Sequence, residues 1–345
     1  MQEAAFEDYV DDEQPQARRF RAEDRHTESR GTNAKIMKNT ALQLAAREAD
    51  RYLESLDTSP VGAVVSIEQL RAALGGELPQ RSRDAESVIK HLIEATRGGI
   101  TGSAGGRFFA WVIGGSLNSA LAADWLTSTW DQNAALFNCS PAAAIVEEVA
   151  GEWLKELLDL PRESSFAFTN GCQFAHFTCF AAARDHVLKN HGHDISRRGL
   201  FGAPEIRVIC GNQRHGSVDS ALRLLGFGTE QIFAVSTDSE GQLDIAEYTR
   251  LLSEYHGPTI VTLGAGEINT GTCDDFSTLI PIAHRHNAWV HIDGAFGLMA
   301  RACRAKSSLL HGVELADSWA TDAHKWLNVP YDNGIAIVRH ADASH

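Results

Sequence analysis

Four short stretches of this chain place reactive side chains directly after apolar, strand-like runs. The first is Thr169-Asn170-Gly171-Cys172. A small-residue turn entering a helix presents free N–H groups and a positive dipole end, which suits a phosphate; an ordinary tight turn between strand and helix explains it as well. The second is His215, in Gln213-Arg214-His215-Gly216-Ser217. A histidine there is placed to stack on an aromatic ligand or to handle protons, or it is a hydrogen-bonded surface residue. The third is Asp293, in His291-Ile292-Asp293-Gly294-Ala295. Its carboxylate suits a salt bridge that keeps a ring nitrogen protonated, and Ala295 is small enough to let a flat ring approach; the alternative is a helix N-cap. The fourth is Lys325, in Thr321-Asp322-Ala323-His324-Lys325-Trp326. Desolvation at a strand end lowers an amine's pKa and favours a Schiff base, although most lysines are solvated.

These residues need a scaffold that brings strand ends together. Strand-like runs cover Ser165–Thr169, Ile206–Cys210, Gln231–Val235, Thr259–Gly264, Ala288–Ile292, Ser318–Thr321 and Ile335–Val338, with helix-length segments between most of them. Such alternation predicts an α/β fold with a mainly parallel sheet covered on both faces, and ligands bind at the C-terminal ends of such strands. The last two strands are joined by too short a loop for a parallel crossover, so the final strand is expected to be antiparallel to its neighbour. Helices are predicted over Thr40–Leu56, from the Ser66 cap to Leu74, over Leu117–Trp130, over Pro141–Leu158 and over Gln173–Leu188. In the last of these, Phe174, Phe177, Ala181 and Leu188 are expected on one side. Glycines cluster from Gly98 to Gly115 around the apolar segment Phe108–Ile113.

Composition narrows the function classes. With 31 basic and 45 acidic residues the chain carries a net charge of −14, which disfavours general binding to nucleic acid. None of the six cysteines forms a CxxC pair, so reduced and mostly buried thiols are expected. The amino terminus lacks the basic-then-apolar order of a signal peptide, and no apolar run approaches the ~20 residues that span a bilayer. A cytoplasmic protein with no membrane partner is the expectation. Residues 1–35 are charged and poor in large aliphatics, which predicts a disordered tail.

Together the four stretches supply, in chain order, a phosphate cradle, a ring-stacking group, a ring-nitrogen partner and an amine. Pyridoxal 5′-phosphate (PLP) requires those groups. Asp293-Gly294-Ala295-Phe296-Gly297, Leu315-Ala316-Asp317-Ser318 and His324-Lys325-Trp326-Leu327 resemble the signature of the group II PLP-dependent amino-acid decarboxylases. The similarity extends from about Gly105 to the carboxyl terminus and includes Ser140-Pro141-Ala142 and the Gly171 turn. The resemblance implies a type-I PLP-dependent transferase fold with a seven-stranded, mostly parallel sheet, and a homodimer. It implies Lys325 as the covalent attachment point, His324 near the cofactor phosphate, and Asp293 on the pyridinium nitrogen. Ala295 and His215 would lie on opposite faces of the ring, and Gly171 and Cys172 would hold the phosphate. No metal is assigned.

The implied domain plan is a tail over 1–35, a helical arm over 36–104 and a PLP-binding large domain over 105–345, with a C-terminal small domain expected to be absent. Three departures stand out: Cys172-Gln173-Phe174 replaces small and acidic residues after the turn, Glu267-Ile268 stands where many members carry a Thr pair, and family members normally continue well beyond the lysine. The expected reaction is decarboxylation of an L-amino acid to its amine and CO2. A PLP-binding protein of weak or no activity, a type-I-fold aminotransferase and a non-enzymatic protein that keeps the fold are the alternatives. The leaning is to an aromatic substrate, with Phe108, Phe109 and Trp111 as candidate pocket residues that core packing explains equally well.

Overall fold

The computed structural model describes residues 39–339; the tail expected over residues 1–35 lies outside them. Helix α1 (Thr40–Ser55) begins where Asn39 accepts a bond from the Leu42 N–H. In α2 (Ile67–Leu74), Ser66 and Gln69 satisfy each other's backbone N–H groups in a capping box. A helix that the sequence reading did not mark, α3 (Ala85–Thr96), is capped by Asp84. Both α1 and α2 pack on α3, yet none of the three contains a buried residue. Isolated helices of this length are marginal in water, so the arm depends on surface beyond its own three helices. Next come α4 (Asn118–Trp130) and α5 (Pro141–Leu157), the latter opened by Pro141 in its first turn and capped by Ser140.

The remaining elements alternate: β1 (Ser165–Thr169), α6 (Cys172–Asn190), the single turn α7 (Ile195–Arg198), β2 (Arg207–Gly211), α8 (Gly216–Leu224), β3 (Ile232–Val235), α9 (Ile245–Ser253), β4 (Thr259–Gly264), α10 (Phe276–Arg285), β5 (Trp289–Asp293), β6 (Ser318–Asp322) and β7 (Gly334–Val338). The strands form one sheet in the order β1-β7-β6-β5-β4-β2-β3. Only β7 runs antiparallel to its neighbours. The seven runs expected from the sequence are these seven strands, and the antiparallel final strand is observed.

Period-two alternation separates the two faces of the sheet. Val208, Ile260 and Trp289 pair in register across β2, β4 and β5 and face the layer of α6 and α8. Their sequence neighbours Ile209, Val261 and Val290 also pair in register and face the layer of α9 and α10. One expectation holds only in part. Of the four residues expected on one side of α6, Leu188 is buried and Phe177 and Ala181 are half-buried against the core, but Phe174 is 51% exposed. The buried residues are Cys172, Ala175, His176, Cys179, Phe180, Ala182, Ala183, Val187 and Leu188. Small side chains let this helix lie close over the centre of the sheet, and close approach outweighs the burial that larger residues on another side would bring.

Two further expectations need correction. Phe109 is 92% and Trp111 79% exposed, so core packing does not explain them. Of the six free cysteines, three are buried, Cys172, Cys179 and Cys210; Cys139 and Cys303 are exposed. Among the described residues no helix is long and apolar enough to cross a membrane.

Candidate active site

The strand ends converge on a cleft of about 870 Å³, open solvent included. His215, Asp293, Ala295 and Lys325 all line it. Gly171, Cys172 and His324 stand outside its lining. Trp111, Thr262, Glu267 and Asp274 also line the cleft; the first and third lie in segments the sequence singled out, and the other two carry no motif.

Period two explains how β5 and β6 present polar groups. Trp289, His291 and Asp293 point to the α6 side of β5, and Ser318 and Asp322 to the same side of β6, with His291 opposite Ser318. From α6 come Cys172 and His176, four residues apart on one helix face. The His176 Nε2 lies 3.5 Å from Asp293 Oδ1 and 3.5 Å from the Cys172 Sγ. Its Nδ1 lies 2.8 Å from the His291 Nε2. The Asp293 carboxylate also accepts the Ala295 N–H at 3.2 Å. Burial alone pushes the Asp293 carboxyl up, but His176, the Ala295 N–H and His291 outweigh it and hold it below the usual carboxylate range. Asp293 is thus kept anionic in a dry setting, as a partner for a cationic ring nitrogen must be. Cys172, His176 and Asp293 also bring three metal-capable donor atoms within 4.8 Å of one another. Burial pushes the Cys172 thiol well up, and a thiol is a metal ligand only as thiolate.

Lys325 sits in the turn after β6. Its Nζ is 3.6 Å from Asp322 Oδ2, and its side chain is 19% exposed. Burial pushes the Asp322 carboxyl up, against the pull of His324, Lys325 and the Cys172 N–H. His324 Nε2 is 3.6 Å from the same carboxylate, and its ring stacks on Tyr331 at 4.2 Å. The lysine turn is clamped from outside by the segment after Trp111. The Gly114 N–H donates to His324 O at 3.3 Å, and the Leu117 N–H to Asn328 O at 2.8 Å. A Cβ at Gly114 would stand 1.7 Å from the Lys325 carbonyl oxygen, so only glycine permits this approach. Beside it Trp111 and Val112 adopt φ of 56° and 54°. A β-branched residue there is a rare strain of the kind that clusters at functional sites.

At the amino terminus of α6, Gly171 has φ of 86° and makes no side-chain cap. The Cys172 thiol is directed inward at His176, away from the helix end. His215 caps α8, accepting the Ser217 N–H at 3.2 Å, and remains exposed on the cleft rim. Around the lysine turn and cleft, five buried polar atoms lack a protein partner: Thr262 Oγ1, Thr321 Oγ1, Asp322 Oδ1, His324 Nδ1 and Asn333 Oδ1. Buried polar groups are ordinarily satisfied, so these orphans mark a place built for a polar ligand.

Within the cleft, burial pushes the Asp274 carboxyl up to about 7, although it accepts the Gly264 N–H at 2.6 Å. A carboxyl raised by folding costs stability as pH climbs from its ordinary value of 3.8 to about 7, because the unfolded chain loses its proton first. Asp274→Asn keeps an oxygen for the Gly264 bond. Its stability relative to the parent should therefore rise over that window by up to a few kcal/mol; urea unfolding at successive pH values checks this, and a difference that is flat with pH contradicts it.

The fold and the site define a class: an α/β protein with an amine, an anionic carboxylate and a small residue brought together at adjoining strand ends of one cleft. The chain belongs to the family described as the pyridoxal-dependent decarboxylase conserved domain, which matches residues 68–344. Its fold is the type-I PLP-dependent fold, and the cofactor of the family is PLP. The match begins earlier than the Gly105 that the motifs suggested, because α2 and α3 carry no chemistry-bearing residues to flag them. The chain is 28% identical over 294 residues to an aromatic-L-amino-acid decarboxylase from Bacillus atrophaeus, covering 84% of this chain and 59% of that relative. It is 30% identical over 224 residues to an L-2,4-diaminobutyrate decarboxylase from Rhizobium meliloti (strain 1021), covering 64% and 43%. Among solved structures, Oryza sativa TDC with PLP and tryptamine aligns with a TM-score of 0.82 at 26% identity, covering 92% of this chain and 66% of that one. The chain thus spans about three fifths of the length of the relatives with the longest matches.

Proposed function

We propose that this chain binds PLP and catalyses loss of CO2 from an L-amino acid to give the amine. The observation that carries the reading is the convergence of Lys325, Asp293, Ala295 and His215 on one cleft. When bound, the cofactor supplies a carbonyl that captures amines and a cationic ring that accepts the electron pair left at Cα as CO2 departs. The chain's own groups supply the rest. Lys325 Nζ holds the cofactor, and the Asp322 carboxylate beside it is placed to take up or return a proton as the amine changes state. Asp293 stays anionic and keeps the ring nitrogen protonated. Ala295 gives the ring a flat floor, and His215 covers it from the rim. His324, with its unpartnered Nδ1, and the α6 turn at Gly171 and Cys172 serve the phosphate; the Cys172 contribution comes from its backbone, since its thiol faces His176.

In this reading residues 36–104 form the arm and 105–345 the cofactor domain. The substrate is an aromatic L-amino acid, supported by Trp111 on the cleft wall and by the substrate class named for the Bacillus relative. The protein works as a homodimer, a reading supported by large apolar side chains left more than half exposed, Phe109, Trp130, Phe137, Val146 and Trp153. Sedimentation that shows only monomer at micromolar concentration removes the dimer. Release of labelled CO2 from a panel of carboxyl-labelled amino acids, with PLP present, tests the activity. Amine and CO2 in equal amounts support it; keto acid without CO2 favours an aminotransferase, and neither product leaves a cofactor-binding protein.

A further inference from the structure

The polar row beneath the cleft continues beyond Asp293. Trp289 Nε1–H donates to Ser318 Oγ at 2.9 Å, and that hydroxyl lies 2.9 Å from His291 Nδ1. His291 Nε2 meets His176 Nδ1 at 2.8 Å, and His176 Nε2 faces Asp293 Oδ1 at 3.5 Å. Both histidines are fully buried. The two ends of this row differ in kind: indole is a donor only, and an ionised carboxylate is an acceptor only.

That asymmetry restricts the protons in between. His291 is neutral, its imidazole held well below the usual range by burial and by His176, so it carries one N–H. If that N–H is at Nε2, Ser318 donates to His291, His291 donates to His176 Nδ1, and His176 must carry its own proton at Nε2. If it is at Nδ1, His291 accepts from His176 Nδ1–H; a bare Nε2 would then oppose the carboxylate, unless Nε2 is protonated too. The one competitor is a Cys172 S–H donating to a bare Nε2 at the same 3.5 Å. A thiol is a weak donor, whereas an N–H donated to a carboxylate is roughly twice as strong as a neutral pair.

Building on the cofactor reading above, we infer that His176 is a positioning residue, whose Nε2–H is directed to Asp293 Oδ1 and holds that carboxylate charged and aimed at the cofactor's ring nitrogen. His291, Ser318 and Trp289 set the direction of the row behind it. The partner group is thus fixed before any ligand arrives, which is what preorganised electrostatics requires.

Two measurements test this on the full chain. The first needs no variant: long-range proton–nitrogen correlation of histidine-labelled, cofactor-free protein, with the His176 signals assigned through His176→Gln. A protonated Nε2 is expected; a bare Nε2 with the proton at Nδ1 overturns the inference. The second compares affinity for PLP with affinity for the analogue bearing carbon in place of the ring nitrogen. The parent should prefer PLP, and His176→Phe should cut that preference on the order of tenfold. His176→Gln, which retains an N–H near Nε2, should keep part of it. A role confined to packing would weaken both ligands alike, so an unchanged preference in a His176→Phe protein that still binds overturns the positioning role alone. Absence of any Lys325 adduct in the parent overturns the cofactor reading and the positioning role with it.

Discussion

Replacing Lys325 with alanine should abolish covalent capture of the cofactor and reduce amino-acid turnover by at least about 10³-fold, the scale expected when a covalent group is removed. The fold should survive. The Lys325 side chain is partly exposed, and its one ion-pair contact is the 3.6 Å approach to Asp322. The turn itself is held by backbone bonds from Gly114 and Leu117, which the substitution leaves in place. Circular dichroism and urea unfolding should therefore resemble the parent while the yellow, borohydride-reducible adduct disappears. An adduct persisting at another lysine would contradict the assignment.

Asp293→Asn should have the second-largest effect, a fall in turnover on the order of 10²-fold or more with a smaller loss of stability. Asparagine is nearly isosteric and retains an oxygen that accepts from His176 and from the Ala295 N–H. What it loses is the charge that keeps a ring nitrogen protonated, and with it the electron demand on Cα. The split between rate and stability is the informative part. Turnover unchanged in a variant that loads with cofactor would remove the ring-nitrogen role of Asp293. Equal loss in both would make the residue a structural one.

Much of this was legible in the sequence, because strand ends are where an α/β sheet displays chemistry. Ser165–Thr169 and the other apolar runs are too short for helices and are bounded by polar or glycine-containing segments, so their number and order could be read directly. The final strand's direction followed from loop length alone. Asp293 and Lys325 could be read because Asp293 ends one apolar run and Lys325 stands in the turn that follows the next. What lies behind them was not read. His176 sits mid-helix with no neighbouring motif, and Phe174 and Phe177 stand out in the sequence more than Ala175, Cys179 and Ala183, the small residues that α6 buries. A signal was present: His291 stands two residues before Asp293, hence on the same side of its strand, and Cys172 and His176 are four apart, hence on one side of theirs. Neither spacing is informative until the sheet register shows which helix covers which strand. The exposure of Phe109 and Trp111 was equally hidden, since apolar residues in a glycine-rich segment serve a core, a cleft wall or an interface alike.

The same geometry explains why the amine stands where it does. Gly114 lets one stretch of chain lie against the Lys325 carbonyl, the strained Trp111 and Val112 wall the cleft beside it, and orphaned polar atoms surround the turn.

The measurement closest to the central claim is borohydride reduction of the purified chain with PLP, followed by peptide mapping. A pyridoxyl group on the peptide containing Lys325, absent from Lys325→Ala, is the expected result. Folded, PLP-saturated protein whose Lys325 peptide remains unmodified would contradict the assignment of this cleft to the cofactor.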